Sequence, residues 1–379
     1  MHLTLHLTPS CNMRCDYCYA PPQPGEAMSE ATAARALQLG ASIGSGSCGV
    51  IFFGGEPLLQ RDLIEATVSH ARALERQGKG RFHFKATTNG LLLDDAFLEF
   101  AVREEVLVAM SFDGVREAQD RHRKLADGTG SYDVLLSRLV RLLEVRPYSS
   151  VLLVVSPDTA PLLSQSVQLL LELGCRYLVV SLDHAAGWSE QSLGVLQEQY
   201  ERLAKLYVEW TRAGRKFYLS PFEVKLASHI HGSEYRKERC ELGRRQVSVA
   251  PDGSLYPCVQ FTRAGRDSAW CIGDVQRGID EPARAAIRMR AEQQKEPCRS
   301  CAIESRCNNT CGCLNWQSTG NVNVVSPVLC RHEQMLLPIV DKVGAQLYQA
   351  RNPLFLHKHY NPAFPVLSLL DDASRFDGG

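Results

Sequence analysis

Cys11, Cys15 and Cys18 stand as C-x3-C-x2-C within CNMRCDYC, directly after an apolar-alternating segment, HLTLHLT, that reads as a first strand. Three thiolates on so short a loop can hold three irons of one cubic [4Fe–4S] cluster, leaving the fourth iron without a protein ligand. An iron left open can act on a bound molecule rather than only pass electrons. Zinc is the competing chemistry, but a structural zinc site takes four protein ligands, usually as two separated pairs. A second cysteine field lies downstream: Cys240, Cys258, Cys298, Cys301, Cys307, Cys311 and Cys330. Its first pair reads C-x12-G-x4-C and its later run C-x2-C-x5-C-x3-C-x18-C, a pattern that also suits paired zinc sites. Cys48 and Cys175 open strand-like runs and read as ordinary buried thiols.

The elements that must carry these residues follow from periodicity. Strand patterns run over 2–8, 48–53, 81–88, 106–112, 149–155 and 176–182. Helical patterns follow each, over 29–43, 61–77, 94–103, 131–145, 159–173 and 189–213, with Ser29, Asp62 and Asp94 as entry signals. Six βα units predict a parallel sheet with right-handed crossovers, and sites at the C-terminal ends of its strands. The triad falls at that rim. So do Gly54-Gly55-Glu56-Pro57, Thr87-Thr88-Asn89-Gly90 and Ser111-Phe112-Asp113-Gly114. Each alone reads as a βα turn. Paired glycines also let a backbone approach a ligand, and a carboxylate beside them suits an ammonium.

Whole-chain properties narrow the classes. The 379 residues suffice for one large core and a smaller unit, and Lys plus Arg equals Asp plus Glu at 42 each. That balance gives no basis for nucleic-acid or anionic-membrane binding. Neither a membrane span nor a secretory signal is visible, so 14 cysteines point to metal ligation in a reducing interior, and the expected location is cytoplasmic.

CNMRCDYC, followed by FFGGEP, TTNG and SFDG, resembles the radical SAM superfamily over about residues 1–215. The resemblance implies a partial (β/α)6 barrel, open on one side. It assigns Cys11, Cys15 and Cys18 to a [4Fe–4S] cluster whose open iron takes S-adenosylmethionine. Tyr17 would lie near the adenine, Gly54, Gly55 and Glu56 would bind the methionine ammonium, and Ser111 would reach the ribose or carboxylate. Leu182 is a further candidate for adenine contact. The implied chemistry is cleavage of the sulfonium to a 5′-deoxyadenosyl radical.

The second cysteine field resembles the SPASM domain of radical SAM enzymes that modify peptides and proteins. By position, Cys298, Cys301, Cys307 and Cys330 would hold one auxiliary [4Fe–4S] cluster, and Cys240, Cys258 and Cys311 the inner one. With the first cluster this makes three. The fourth inner position is open, or filled by Cys271 or Cys313. The implied organisation is a barrel over 1–215, a linker over 216–239, a SPASM domain over 240–335 and a C-terminal helix and tail over 336–379. The implied function is oxidative modification of a ribosomally made peptide, most readily a C–C or thioether crosslink. Formylglycine formation and oxidation of a small metabolite are the alternatives. Val259 stands where the sulfatase-modifying branch places an acidic residue. The implied partners are a peptide substrate and a reductant such as flavodoxin or ferredoxin; only ten residues precede Cys11, so leader recognition is expected from a separate leader-recognition protein or from another surface.

Overall fold

The computed structural model describes residues 2–44, 46–232, 242–244, 246–361 and 363. Its strands begin with β1 (His2–His6), the short β2 (Met13–Cys15), β3 (Ser47–Phe53), β4 (Arg81–Thr88) and β5 (Val106–Ser111). They continue as the short β6 (Arg123–Leu125), β7 (Ser150–Val155), β8 (Tyr177–Leu182), β9 (Tyr218–Leu219), β10 (Gln246–Val249) and β11 (Leu255–Tyr256). One nine-stranded sheet runs β11-β10-β1-β3-β4-β5-β7-β8-β9. All its pairings are parallel except that of β10 with β11. The six strands expected from periodicity fill its centre in chain order. The sheet then grows beyond them at both edges.

The crossover helices are α1 (Glu30–Ile43), α2 (Arg61–Arg76), α3 (Asp95–Arg103), α4 (Arg116–His122), α5 (Tyr132–Val145), α6 (Leu163–Glu172) and α7 (Glu190–Arg212). Helix α2 shows why they pack: Leu63, Ile64, Thr67, Val68, Ala71 and Leu74 recur at three- and four-residue steps and are buried. They meet a sheet whose own centre, including Leu3, Leu5, Val50, Phe52 and Phe84, is buried. Each such fully buried side chain contributes about 1.5–3 kcal/mol. Ser29 and Asp94 cap α1 and α3 by accepting from Thr32 N (3.1 Å) and Phe97 N (2.8 Å). Asp62 lies inside the first turn of α2 instead, so its contribution there is charge, not a cap.

Helices α8 (Ser220–His231), α9 (Glu281–Glu292), α10 (Gly312–Thr319), α11 (Pro327–Gln349) and α12 (Pro353–Tyr360) complete the chain. The segment 216–239 is therefore not a bare connector, because α8 occupies its centre. Lys225 on α8 and Glu333 on α11 form a buried ion pair at 2.6 Å, both side chains under 4% exposed. Strands β10 and β11 form a hairpin around Asp252-Gly253, with Gly253 at φ +84°, and β10 pairs with β1 in parallel. Among the described residues no helix is long and apolar enough to cross a membrane. Cys240 and residues 364–379, which include the expected tail, lie outside the described residues.

Candidate active site

The triad loop is held along its length. Beyond β1, Leu7 N still donates to Phe53 O (2.9 Å), so the chain stays in register with β3 before it turns. Strand β2 then pairs antiparallel with β6, placing Cys15 opposite Arg123. Asp16 N donates to His122 O (3.1 Å), and Cys18 N to Cys15 O (3.2 Å). All three thiols are half-buried. Burial, above all, pushes Cys11 and Cys15 up, Cys15 to about 11, and both feel Cys18 nearby. A loaded metal centre must displace those protons, since the thiolate is the ligand. Asn89 Nδ2 donates to Asn12 Oδ1 (2.8 Å) and lies 3.6 Å from Cys11 Sγ, so the TTNG turn touches the triad directly.

The GGE turn is built against the same loop. A Cβ on Gly54 (φ +132°) would sit 2.5 Å from the Thr8 carbonyl oxygen, and one on Gly55 would sit 2.1 Å from that of Ser10. Gly55 N and Glu56 N donate to those two oxygens at 2.8 and 2.9 Å. The missing side chains thus serve contact with the triad loop before any ligand is considered. Glu56 is fully buried, and its carboxylate accepts from Leu58 N (3.0 Å), Thr88 Oγ1 (2.7 Å) and Asn89 N (2.7 Å). Burial raises its pKa to about 7, the hydrogen bonds pulling the other way. A carboxylate has about four acceptor positions, and three are filled here. Among the described residues no cation pairs with it. One free acceptor position and an unbalanced buried charge fit a ligand ammonium.

Tyr17 and the SFDG turn meet in a buried hub that sequence reading missed. Tyr17 OH donates to Asp113 Oδ2 (2.5 Å), Arg123 Nε donates to the same oxygen (3.0 Å), and Val154 N donates to Asp113 Oδ1 (3.0 Å). Arg123 also lies over the Tyr17 ring, 5.3 Å from its centroid. The hub ties the triad loop to β5, β6 and β7. Ser111 ends β5 half-buried, and Leu182 ends β8 at 8% exposed, both at the same rim. His184 follows β8. Asp183 makes a local turn to Ala185 N (3.0 Å) while Ser189 caps α7, so neither residue caps that helix. His184 is buried, its pKa is lowered by desolvation, and its Nδ1 has no partner among the described residues.

The downstream thiols fall into two groups. Cys330, on α11, lies near Cys298 and Cys301, and burial raises its pKa. Cys307 is buried. Cys258, Cys311 and Cys313 form the other group. Cys311 and Cys313 Sγ atoms are 3.4 Å apart, and Cys313 also shares a hydrogen bond with Cys258. That bond holds the Cys258 thiol below its ordinary value and drives Cys313 well above it. Cys271 is elsewhere engaged, its Sγ 3.4 Å from Gly273 O. Cys48 and Cys175 are core thiols, 1% and 2% exposed, as expected. Among the described residues no three His, Cys, Asp or Glu side chains surround the position of a single ion. The Tyr19 phenol feels Cys18 together with Cys258 and Cys313, so it lies near both the triad and the second group.

Residues 5–160 match the radical SAM superfamily, and residues 240–302 match an iron–sulfur cluster-binding domain, SPASM. The serine-type anaerobic sulfatase-maturating enzyme of Klebsiella aerogenes is 24% identical over 326 residues, 80% of this chain and 77% of that protein. The PqqA peptide cyclase of Methylocella silvestris is 25% identical over 356 residues, 90% of this chain and 89% of that protein. The solved structure of native anSMEcpe with bound AdoMet and Cp18Cys peptide has a TM-score of 0.78 at 18% identity, over 91% of this chain and 99% of that one. The chain therefore belongs to the radical SAM superfamily and is an enzyme that carries a SPASM iron–sulfur cluster-binding domain.

Proposed function

We propose that the protein binds S-adenosylmethionine and three [4Fe–4S] clusters and oxidatively modifies a peptide, forming a C–C or thioether crosslink. The single observation that carries this reading is the convergence of the triad loop, Glu56, Asn89 and the Tyr17–Asp113 hub at one strand-end rim, with a second thiol group near the same Tyr19 that feels the triad. Cys11, Cys15 and Cys18 hold the first cluster. Cys298, Cys301, Cys307 and Cys330 hold the outer auxiliary cluster, and Cys240, Cys258 and Cys311 belong to the inner one. With S-adenosylmethionine bound, the first cluster supplies a carbon radical able to abstract hydrogen.

The chain's own rim residues then each offer a binding contact beside their part in holding the triad loop. Glu56 gives its remaining acceptor position to the methionine ammonium. Tyr17, locked by Asp113, keeps a fixed aromatic face at the adenine, with Leu182 behind it and Ser111 offering a hydroxyl to the ribose or carboxylate. Half-buried thiols and apolar strand ends keep water from the reacting carbon. Residues 1–215 form the barrel, and 240–335 the auxiliary-cluster unit. A relative named for cyclising a peptide, and a fold neighbour solved with a peptide bound, favour a peptide substrate. Val259 opens a tight turn after Cys258 and brings no carboxylate there, which sets formylglycine formation second. A flavodoxin or ferredoxin supplies electrons in the cytoplasm.

Anaerobic reconstitution should yield about twelve irons per chain, four per cubane. Dithionite-reduced protein should cleave S-adenosylmethionine. Mass spectrometry of a co-expressed candidate peptide should show a loss of about 2 Da per crosslink, from two hydrogens lost in an oxidation. A loss of 18 Da at a cysteine or 2 Da at a serine without a crosslink would transfer the reading to formylglycine formation. Zinc alone, with no cleavage, would overturn the reading.

A further inference from the structure

We propose that Lys85 and His6 recognise an acidic side chain of the peptide substrate inside the barrel, below the triad loop. The inference rests on the peptide reading above and adds the charge that the peptide carries near its reacting residue. Both side chains stand on the inner face of the sheet. A Cβ on Gly40 of α1 would lie 2.7 Å from Leu3 Cδ1, and Phe84 takes the Arg72 guanidinium of α2 at 5.2 Å from its ring centroid. Leu3 and Phe84 therefore face the helices, and strand alternation turns Thr4, His6, Lys85 and Thr87 the other way. Thr4, Ile51, Lys85 and Leu107 stand in register across β1, β3, β4 and β5. His6 stands one row nearer the rim, opposite Phe53, with its ring edge-on to that phenyl at 5.4 Å. Two strand spacings and one two-residue step put the His6 and Lys85 Cα atoms about 12 Å apart. An imidazole and a four-carbon ammonium arm can close on one small group across that gap.

Neither group has a partner. Lys85 makes no hydrogen bond or ion pair among the described residues, and burial alone lowers its pKa. The other deeply placed lysines are paired, Lys225 with Glu333 and Lys358 with Glu223. His6 is 7% exposed, and its Nε2 is buried without a hydrogen-bond partner among the described residues. Burial lowers its pKa to about 3, so the ring is neutral and holds one N–H. Arg263 adds positive charge near that ring and forms no ion pair among the described residues. Around the two groups the inner face is apolar yet accessible: Ile51, Phe53, Leu152, Val154 and Val179 are half-buried, and Leu107 is 57% exposed.

A desolvated ammonium without a counter-ion is costly, and a carboxylate brought in by the peptide offsets that cost. Lys85 pairs with the carboxylate, and His6 donates to it from Nε2. Lys85 lies two residues before Thr87, about 7 Å along the strand, which an extended peptide spans in about two residues. The acidic residue therefore falls within about two positions of the one that reacts at the rim.

The test uses the full reconstituted chain with S-adenosylmethionine and two probes, N-acetylaspartic acid amide and N-acetylasparagine amide, which differ in charge at the same size. Saturation-transfer NMR should show the aspartyl probe bound at least about tenfold more tightly, the size of one charge-assisted contact. Lys85→Met and His6→Phe should each lose most of that preference, whereas Lys85→Arg should retain it. Lys342→Met, which removes an exposed cation on α11, should match the parent. Urea melts separate a folding defect from a recognition defect: Lys85→Met removes an unpartnered charge and should raise the midpoint. Equal binding of the two probes, a preference that survives Lys85→Met, or a lowered midpoint in that variant would each overturn the assignment. So would a weakened affinity for S-adenosylmethionine in Lys85→Met, which places the ammonium at the cofactor instead. Cleavage of S-adenosylmethionine without a charge preference overturns this inference alone. A charge preference without cleavage overturns the radical-chemistry reading alone.

Discussion

Glu56→Gln separates the structural and ligand-binding tasks of the GGE turn. The wild-type carboxylate is fully buried with three donors and no cation, and its pKa stands at about 7 against an ordinary 4.5. The folded pKa is raised, so this group's stabilisation is complete below pH 4.5 and is lost as pH rises through 7. Between pH 6 and pH 8 that loss is about 1 kcal/mol by linkage. The amide removes the charge but turns an N–H toward a donor, at a cost of about 1–3 kcal/mol. Denaturant melts should therefore show the variant gaining on the wild type by about 1 kcal/mol from pH 6 to pH 8. Ligand affinity moves differently. Losing a charge-assisted contact to an ammonium costs about 1.5–3 kcal/mol, or ten- to hundredfold in the dissociation constant for S-adenosylmethionine. Wild-type affinity should also fall up to tenfold per pH unit below 7, because the carboxylate must release a proton to bind. Titration calorimetry of the reconstituted protein at several pH values reads both effects. A variant that binds with wild-type affinity, or keeps the wild-type pH slope, refutes the assignment of Glu56 to the ammonium.

Asp113→Asn strands the buried Arg123 guanidinium and should cost about 3–5 kcal/mol in denaturant melts, whereas Tyr17→Phe removes one of three bonds to Asp113 and should cost about 1.5–3 kcal/mol. Equal losses would mean that the hub is not organised around the charge. Asn89→Leu removes the donor beside Cys11 Sγ, which stabilises added negative charge, and should lower the first cluster's midpoint potential by about 20–40 mV in a dye titration. Glu333→Gln leaves Lys225 buried without its counter-ion and should destabilise the α8–α11 contact by about 3–5 kcal/mol, with auxiliary iron content as a second readout. Cys15→Ala should abolish S-adenosylmethionine cleavage while iron analysis still finds about eight irons, four in each auxiliary cubane.

The barrel was legible because its six central strands are five to eight residues long and alternate or run apolar, a signal that periodicity captures. The rim motifs stood out in sequence because four of them follow successive strands, whereas each alone reads as an ordinary turn. Strands β9 and β11, two residues each, carry no period and could only be seen once paired. Helix α8 has Pro221 in its first turn and a mixed burial pattern, and its segment read as a linker. The Tyr17–Asp113–Arg123 hub depends on three residues that meet only through the fold. Cys313, one of two candidates for the fourth inner position in the sequence, comes beside Cys311 through the change of backbone direction at the α10 entry, which spacing alone does not show.

The rim works as one unit, and its parts cannot be assigned one task each. Glu56 accepts from the β4 end at Thr88 and Asn89, while its own backbone donates to Ser10 beside the triad. Asn89 passes that constraint to Cys11. Asp113 fixes Tyr17 from β5 and holds Arg123 on the strand that pairs with the triad loop. Each motif thus positions the loop, and in the proposed reading it also offers an atom to a ligand. Activity loss after mutation cannot distinguish these two jobs at Glu56, Asn89 or Asp113. Measurements that do distinguish them are a proton-linked affinity, a midpoint potential and a folding free energy, because positioning and ligand contact move these three by different amounts. The same argument extends to Tyr19, which feels both Cys18 and the Cys258–Cys313 pair: shortening it should shift both thiol groups' surroundings together, and a variant that alters only one group's spectrum would show that the two centres are set independently.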